Sequence, residues 1–156
     1  MRGCSPLLGI VRSILLCLHG SKPIAEGPIM ADILFLEYPK CSTCKKARAW
    51  LEGKGVAFRA QHIAEDNPTA EELAAWHAAS GLPVRRFFNT SGMLYRELDV
   101  KAKLDAGMTD AEAYELLASN GMLVKRPILT DGERVVVGFR EQDYESCFAG
   151  RVSTET

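Results

Sequence analysis

Ile33-Leu34-Phe35-Leu36-Glu37-Tyr38-Pro39-Lys40-Cys41-Ser42-Thr43-Cys44-Lys45-Lys46-Ala47-Arg48-Ala49-Trp50-Leu51 reads as a strand, a turn and a helix in immediate succession. The apolar run 33–36 suits a buried parallel strand, and Pro39 stops it. Beyond the turn, Cys44, Ala47, Trp50 and Leu51 recur at intervals of three and four, while Lys45, Lys46 and Arg48 lie off that stripe. Gly53 and Gly55 end the helix. A second strand is expected over 56–63, opening with Val56-Ala57-Phe58.

Further along, Asn67-Pro68-Thr69 opens a helix with Thr69 as its cap, Glu71 and Glu72 in the first turn, and Leu73 and Trp76 inside. Ser80-Gly81-Leu82-Pro83 breaks it, and Pro83 opens a short helix over 84–88. A loop, Asn89-Thr90-Ser91-Gly92, comes next. Thr109-Asp110-Ala111-Glu112 caps another helix, with Ala113, Leu116 and Leu117 on its inner face and Gly121 at its end. Ile128-Leu129-Thr130 and Val135-Val136-Val137 flank Asp131-Gly132, a hairpin signal. A last helix runs from about Glu141 to Phe148. The order β-α-β, helices, β-β-α makes an α/β chain with a four-stranded mixed sheet and flanking helices.

The 156 residues, 47% apolar and 25% charged, fit one ordinary globular domain with a tail. No apolar, charge-free stretch is long enough for a spanning helix, so no membrane partner is expected. Nineteen Lys and Arg against 20 Asp and Glu give no general nucleic-acid-binding surface. Residues 1–29 carry Arg2, Arg12 and Lys22 against Glu26 and read as an N-terminal extension or a mis-set start, outside the working protein. Its apolar run is broken by Arg12, which argues against a secretory signal. The domain is expected over 30–150, with 151–156 as a tail, in the cytoplasm. Cys4 and Cys17 fall in the extension and receive no chemistry.

Cys41 and Cys44 sit where the first strand turns into the first helix. A C-x-x-C in a cytosolic chain beside a βαβ pattern reads as a thioredoxin-like redox motif. The thiolate is the nucleophile, and a helix N-terminus offers free N–H groups and positive potential to lower the thiol from its usual value of about 8.5. Lys40, Lys45 and Lys46 add screened positive charge. Cys44, one turn on, is placed to attack a mixed disulfide on Cys41. Three other readings compete. A structural zinc site needs four ligands, and Cys147, His62 and His77 lack ligand spacing, so no metal is expected. Both cysteines could be inert core residues. The third is a regulatory disulfide without turnover.

Lys125-Arg126-Pro127-Ile128-Leu129 places a proline at the start of the third strand, where thioredoxin-like folds carry a cis-proline beside the redox cysteine. Arg126 is then a candidate to stabilise a thiolate or hold an oxyanion. Arg140, following Val137-Gly138-Phe139, is a second.

Together these stretches resemble the family that contains the glutaredoxin-coupled arsenate reductases and the Spx-type transcription regulators, over about 33–148. The resemblance implies a thioredoxin-like fold with a helical insertion, here between about 69 and 120. In the reductases one cysteine attacks arsenate, three arginines bind the oxyanion, and glutathione with glutaredoxin completes the reduction. Cys41 matches the nucleophile, and Arg126 and Arg140 match two arginines. The third position falls on Asn89, which donates a hydrogen bond but carries no charge; Arg85 and Arg86 lie a turn earlier. Cys44 supplies a local resolving thiol and favours a dithiol/disulfide cycle. The resemblance therefore implies a thiol–disulfide oxidoreductase with no bound cofactor. Its partners would be glutathione as a co-substrate, glutaredoxin or a protein disulfide, with Pro127 and Asn89 in supporting places. The C-x-x-C is shared with Spx-type regulators, which implies a redox switch binding the RNA polymerase α-subunit as the alternative; arsenate reduction itself is the third.

Overall fold

The computed structural model describes residues 33–148. The expectations for the 1–29 extension and the 151–156 tail, and the domain bounds at 30 and 150, lie outside that range. Strand β1 (Leu34–Glu37) is central. It pairs parallel with β2 (Arg59–His62) and antiparallel with β3 (Ile128–Thr130), and β4 (Val135–Val137) pairs antiparallel outside β3. The order β2-β1-β3-β4 is the mixed four-stranded sheet that the element order implied.

Alternation along β1 divides the protein into two cores. Ile33 and Phe35 face one side, where Ala47 and Leu51 of α1 (Ser42–Gly53) and Tyr144 and Phe148 of α6 (Glu141–Phe148) pack with Leu129 and Val136. Leu34 and Leu36 face the other side and meet the helical insertion. That insertion comprises α2 (Ala70–Ser80), a 3₁₀ turn (Val84–Phe87), α3 (Met93–Glu97), α4 (Val100–Asp105) and α5 (Asp110–Ser119). Every residue of β1 is buried, as a strand covered on both faces must be.

Glu37, buried at the end of β1, takes Arg48 of α1 through both of its oxygens, and the Arg48 guanidinium lies 5.3 Å from the Phe58 ring centre. Arg48, off the apolar stripe in sequence, thus straps the first helix to the central strand. Thr69 and Thr109 each form a full capping box, with Glu72 and Glu112 closing back onto the cap N–H.

Four details differ from the sequence reading. Strand pairing in β2 begins at Arg59, because the Val56 N–H is held by the Leu51 carbonyl (3.0 Å) at the end of α1. The hairpin turn is centred one residue later, on Gly132-Glu133. Asp131 Oδ1 accepts the N–H groups of Glu133 (3.1 Å) and Arg134 (2.8 Å), and Gly132 takes φ +90. Helices α3 and α4, of five and six residues, had no cap or long stripe to announce them.

Gly121 does not end α5 directly. Asn120 does, and Gly121 opens a 3₁₀ turn (Gly121–Leu123) pressed against the sheet. A Cβ there would lie 1.7 Å from the Ile63 carbonyl oxygen, so only glycine fits where the insertion returns to the sheet. Among the described residues no helix is long and apolar enough to cross a membrane.

Gly121→Ala is expected to cost about 3 kcal/mol in urea unfolding, because backbone must move to admit the methyl group. Gly53→Ala, in a helix with nothing within 4 Å of its added carbon, should instead gain about 0.5–1 kcal/mol.

Candidate functional site

The turn between β1 and α1 sets two thiols at different depths. The Cys41 N–H donates to the Tyr38 carbonyl (2.8 Å), closing the turn, and the Cys41 carbonyl accepts from the Lys45 N–H (3.1 Å) as the helix begins. Cys41 is therefore the N-cap, in extended backbone (φ −87, ψ 123), and its thiol is half-buried. Cys44 lies one turn later on the inner stripe and is fully buried. The Tyr38 N–H points at the Cys44 sulfur across 3.5 Å.

The antiparallel register supplies the cation. Leu36 lies opposite Ile128, and continuing that register by two residues sets Arg126 across from Tyr38. The guanidinium stacks 5.0 Å from the Tyr38 ring centre. Its Nη1 donates to the Met122 carbonyl (3.4 Å), and its buried Nε has no partner among the described residues. The Arg126–Pro127 peptide bond is cis, an isomer that the sequence alone left open. Pro127 is buried, and its carbonyl accepts from the Gly138 N–H (2.8 Å).

Burial raises both thiols, but the balance differs between them. At Cys41 burial is outweighed by hydrogen bonds from the Cys44 N–H and S–H and the Thr43 N–H, and by the Arg126 charge, so its pKa falls below the ordinary thiol value. At Cys44 burial is opposed by the Tyr38 N–H but reinforced by the negative charge on Cys41 and by the S–H bond given to it, so its pKa is pushed up to about 12. Lys40, Lys45 and Lys46 are exposed. The cation bearing on Cys41 is Arg126.

The remaining candidates are placed by contacts of their own. Asn89 Nδ2 donates to the Met122 carbonyl (3.4 Å), the same oxygen that Arg126 approaches, and its main chain is tied to Leu123. Arg140 is exposed at the first turn of α6, where its carbonyl accepts from Asp143 and Tyr144, and it lines a cleft along β4 with Arg86 and Cys147. Arg85 pairs with Asp105. The structure thus brings Cys41, Cys44, Arg126 and Pro127 together, with Asn89 at their edge, and sets Arg140 on the β4 cleft. Among the described residues no group of three His, Cys, Asp or Glu could hold a metal.

Two contributors escaped the sequence reading. Tyr38 serves through its N–H and its ring, and only the strand register reveals the second role. Tyr144 is fully buried in α6, with its hydroxyl unpartnered among the described residues. Burial first, then the nearby Cys44 charge, raises its pKa.

A helix-capping, ionisable thiol beside a cis-proline and an arginine, with a second thiol one turn deeper, defines a thioredoxin-like protein with a dithiol site. The chain belongs to the ArsC family, whose model matches residues 36–147. It is 54% identical to YusI of Bacillus subtilis over 118 residues, covering 76% of this chain and 99% of YusI. The global transcriptional regulator Spx of Streptococcus pyogenes is 30% identical over 70% of this chain and 79% of its own length. The crystal structure of an ArsC family related protein from Bacteroides fragilis is 49% identical, with a TM-score of 0.72 over 75% of this chain and 98% of that one.

Alkylation mapped to individual cysteines is expected to give Cys41 an inflection below about 8.5, with Cys44 silent until far higher pH. Arg126→Met removes a charge that favours the thiolate, so the Cys41 inflection moves up. The two shifts have opposite linkage to stability. A lowered Cys41 contributes stability present above the unfolded thiol value and lost as pH falls through its folded value. A raised Cys44 stays protonated while the unfolded thiol ionises, so the reduced protein loses stability from about pH 8.5 towards 12. Unfolding followed from pH 8 to 11 should show that alkaline loss flattened in Cys44→Ser.

Proposed function

We propose that this chain is a thiol–disulfide oxidoreductase of the ArsC family, with Cys41 as nucleophile and Cys44 as resolving thiol. The observation that carries the reading is the asymmetry of the pair: a half-exposed thiol with a lowered pKa above a buried one with a raised pKa. The Cys41 thiolate attacks one sulfur of a substrate disulfide. A mixed disulfide forms and the other substrate sulfur leaves as a thiolate. Cys44 then gives up its proton and attacks the Cys41 sulfur, releasing the second substrate thiolate and leaving a Cys41–Cys44 disulfide. Two electrons pass to the substrate, and two thiol equivalents, from glutathione or a dithiol protein such as glutaredoxin, restore the pair.

The first step prepares the second. Once Cys41 is bonded to substrate, its negative charge and its claim on the Cys44 S–H disappear, and both were raising Cys44. Resolution is thus held back until substrate is attached. Arg126 holds an anionic group near the sulfur, which suits the carboxylates of glutathione. A cytoplasmic setting, where thiols are kept reduced, follows from this cycle.

The 30% identity to Spx supports a second reading, in which the same thiol pair switches a transcription regulator that binds RNA polymerase without turnover. Arsenate reduction is the third, and Asn89 weighs against it, since it brings no charge to an oxyanion.

One panel separates the three. Reduction of a glutathione mixed disulfide by the full chain should be abolished in Cys41→Ser, while Cys44→Ser should accumulate a glutathione adduct on Cys41 visible by mass. Turnover unchanged in Cys41→Ser ends the proposal. Arsenate with glutathione and glutaredoxin should give no matching turnover. Polymerase retained only by one oxidation state of the pair, with no disulfide reduction, would establish the regulator instead.

A further inference from the structure

Strand β4 is an outer strand of the sheet, and its bonding pattern tells which of its groups face outward. At the two ends of the β3–β4 ladder, the Asp131 N–H donates to the Arg134 carbonyl (3.3 Å) and the Gly138 N–H to the Pro127 carbonyl (2.8 Å). Bonded pairs alternate in an antiparallel ladder, so Val136 is the bonded residue between them. Val135 and Val137 consequently turn their N–H and C=O groups away from β3, towards the open edge. Edge groups left like this are a template for another strand.

The edge lies in a groove with a particular charge. A cleft of about 300 Å³ runs along β4 between α6 and the corner from α2 to the following 3₁₀ turn, and Arg86 and Arg140 line it. A second, of about 250 Å³, continues past Val137 with Arg85, Arg86 and Lys125. They share Arg86 and Val137 and so adjoin along the strand, and are taken together as the groove. Arg86, Lys125 and Arg140 make no ion pair among the described residues; Arg85 pairs with Asp105, and Asp143 is the acid on the lining. In a chain of net charge −1, this concentration of cations is local.

We propose that the edge of β4 docks an extended acidic segment of a partner protein, which joins the sheet as a fifth strand. The paired outward N–H and C=O groups suit a peptide backbone, which a small anion cannot match. A second copy of this chain, edge to edge, would set the same cations against one another. Nucleic acid would leave the strand groups unused, and the groove offers no exposed ring for a base. The proposal stands apart from the thiol chemistry, since the groups that act on Cys41 and Cys44, namely Tyr38, Thr43 and Arg126, do not line the groove.

The test titrates the ¹⁵N-labelled full chain with a blocked decapeptide alternating Glu and Val, and with its Lys/Val counterpart. The acidic peptide is expected to bind, more weakly as salt rises, with the largest amide shifts at Val135 and Val137. Arg86→Glu and Lys125→Glu should each lower affinity about fivefold or more. Val135→Pro removes an outward N–H from the first strand residue without breaking a ladder bond and should weaken binding likewise. If that variant does not fold, as judged by its amide spectrum, the two charge reversals decide. Cys41→Ser should bind as the unaltered chain does. The proposal falls if the acidic peptide does not bind, if the charge reversals leave binding unchanged, or if the shifts lie away from β4. It also falls if inorganic phosphate or a thymidine dodecamer gives the same shifts at equal strength, or if the chain forms a dimer that the peptide cannot dissociate.

Discussion

Two thiolates cannot coexist in the space that the first turn of α1 allows them. Cys41 and Cys44 lie one turn apart, and burial penalises charge on both. The available donors therefore choose between them. The helix-end N–H groups of Thr43 and Cys44, with Arg126, favour charge on Cys41, and that charge then forces Cys44 to keep its proton. In the proposed cycle the nucleophile and the resolving group differ by position, and their order of reaction follows from the same electrostatics.

That choice depends on elements far apart in sequence meeting at one end of β1. The strand carries Tyr38 just past its last paired residue, the turn returns the chain to Cys41, and β3 brings Arg126 across from Tyr38 through the antiparallel register. The insertion fixes the other side of the arginine, because the Met122 carbonyl that holds Nη1 belongs to the 3₁₀ turn opened by Gly121. Gly121 fits against Ile63 only without a side chain. A glycine remote from the thiols in sequence therefore helps set where the cation sits.

The quoted stretch carried most of this in readable form. Four consecutive apolar residues stopped by Pro39 suit a strand covered on both faces, and a C-x-x-C straight after it leaves the first cysteine at a helix end. The capping residues Thr69 and Thr109 were equally legible, because their side chains act on their own backbone. Contacts between elements were less so. Arg48 looked like a solvated charge until the fold set Glu37 and Phe58 beside it. Arg140 followed a motif into the vicinity of the sheet end, yet which way an exposed arginine lies is decided by its neighbours. Helices α3 and α4 are too short for periodicity to accumulate, and packing of Tyr95 and Val100 into the core holds them.

Arg126 also bears on whether the pair turns over or merely switches. Its charge lies over one ring, with one weak carbonyl contact and a buried Nε without a partner among the described residues. Arg126 is half-buried, and in the reduced protein its charge favours the thiolate on Cys41. In the proposed cycle, joining Cys41 to Cys44 removes the thiolate that this charge favours. Within that cycle, losing the favoured thiolate tilts the pair towards its reduced form. A pair tilted towards its reduced form fits the proposed repeated cycle, whereas a long-lived switch needs a stable oxidised state.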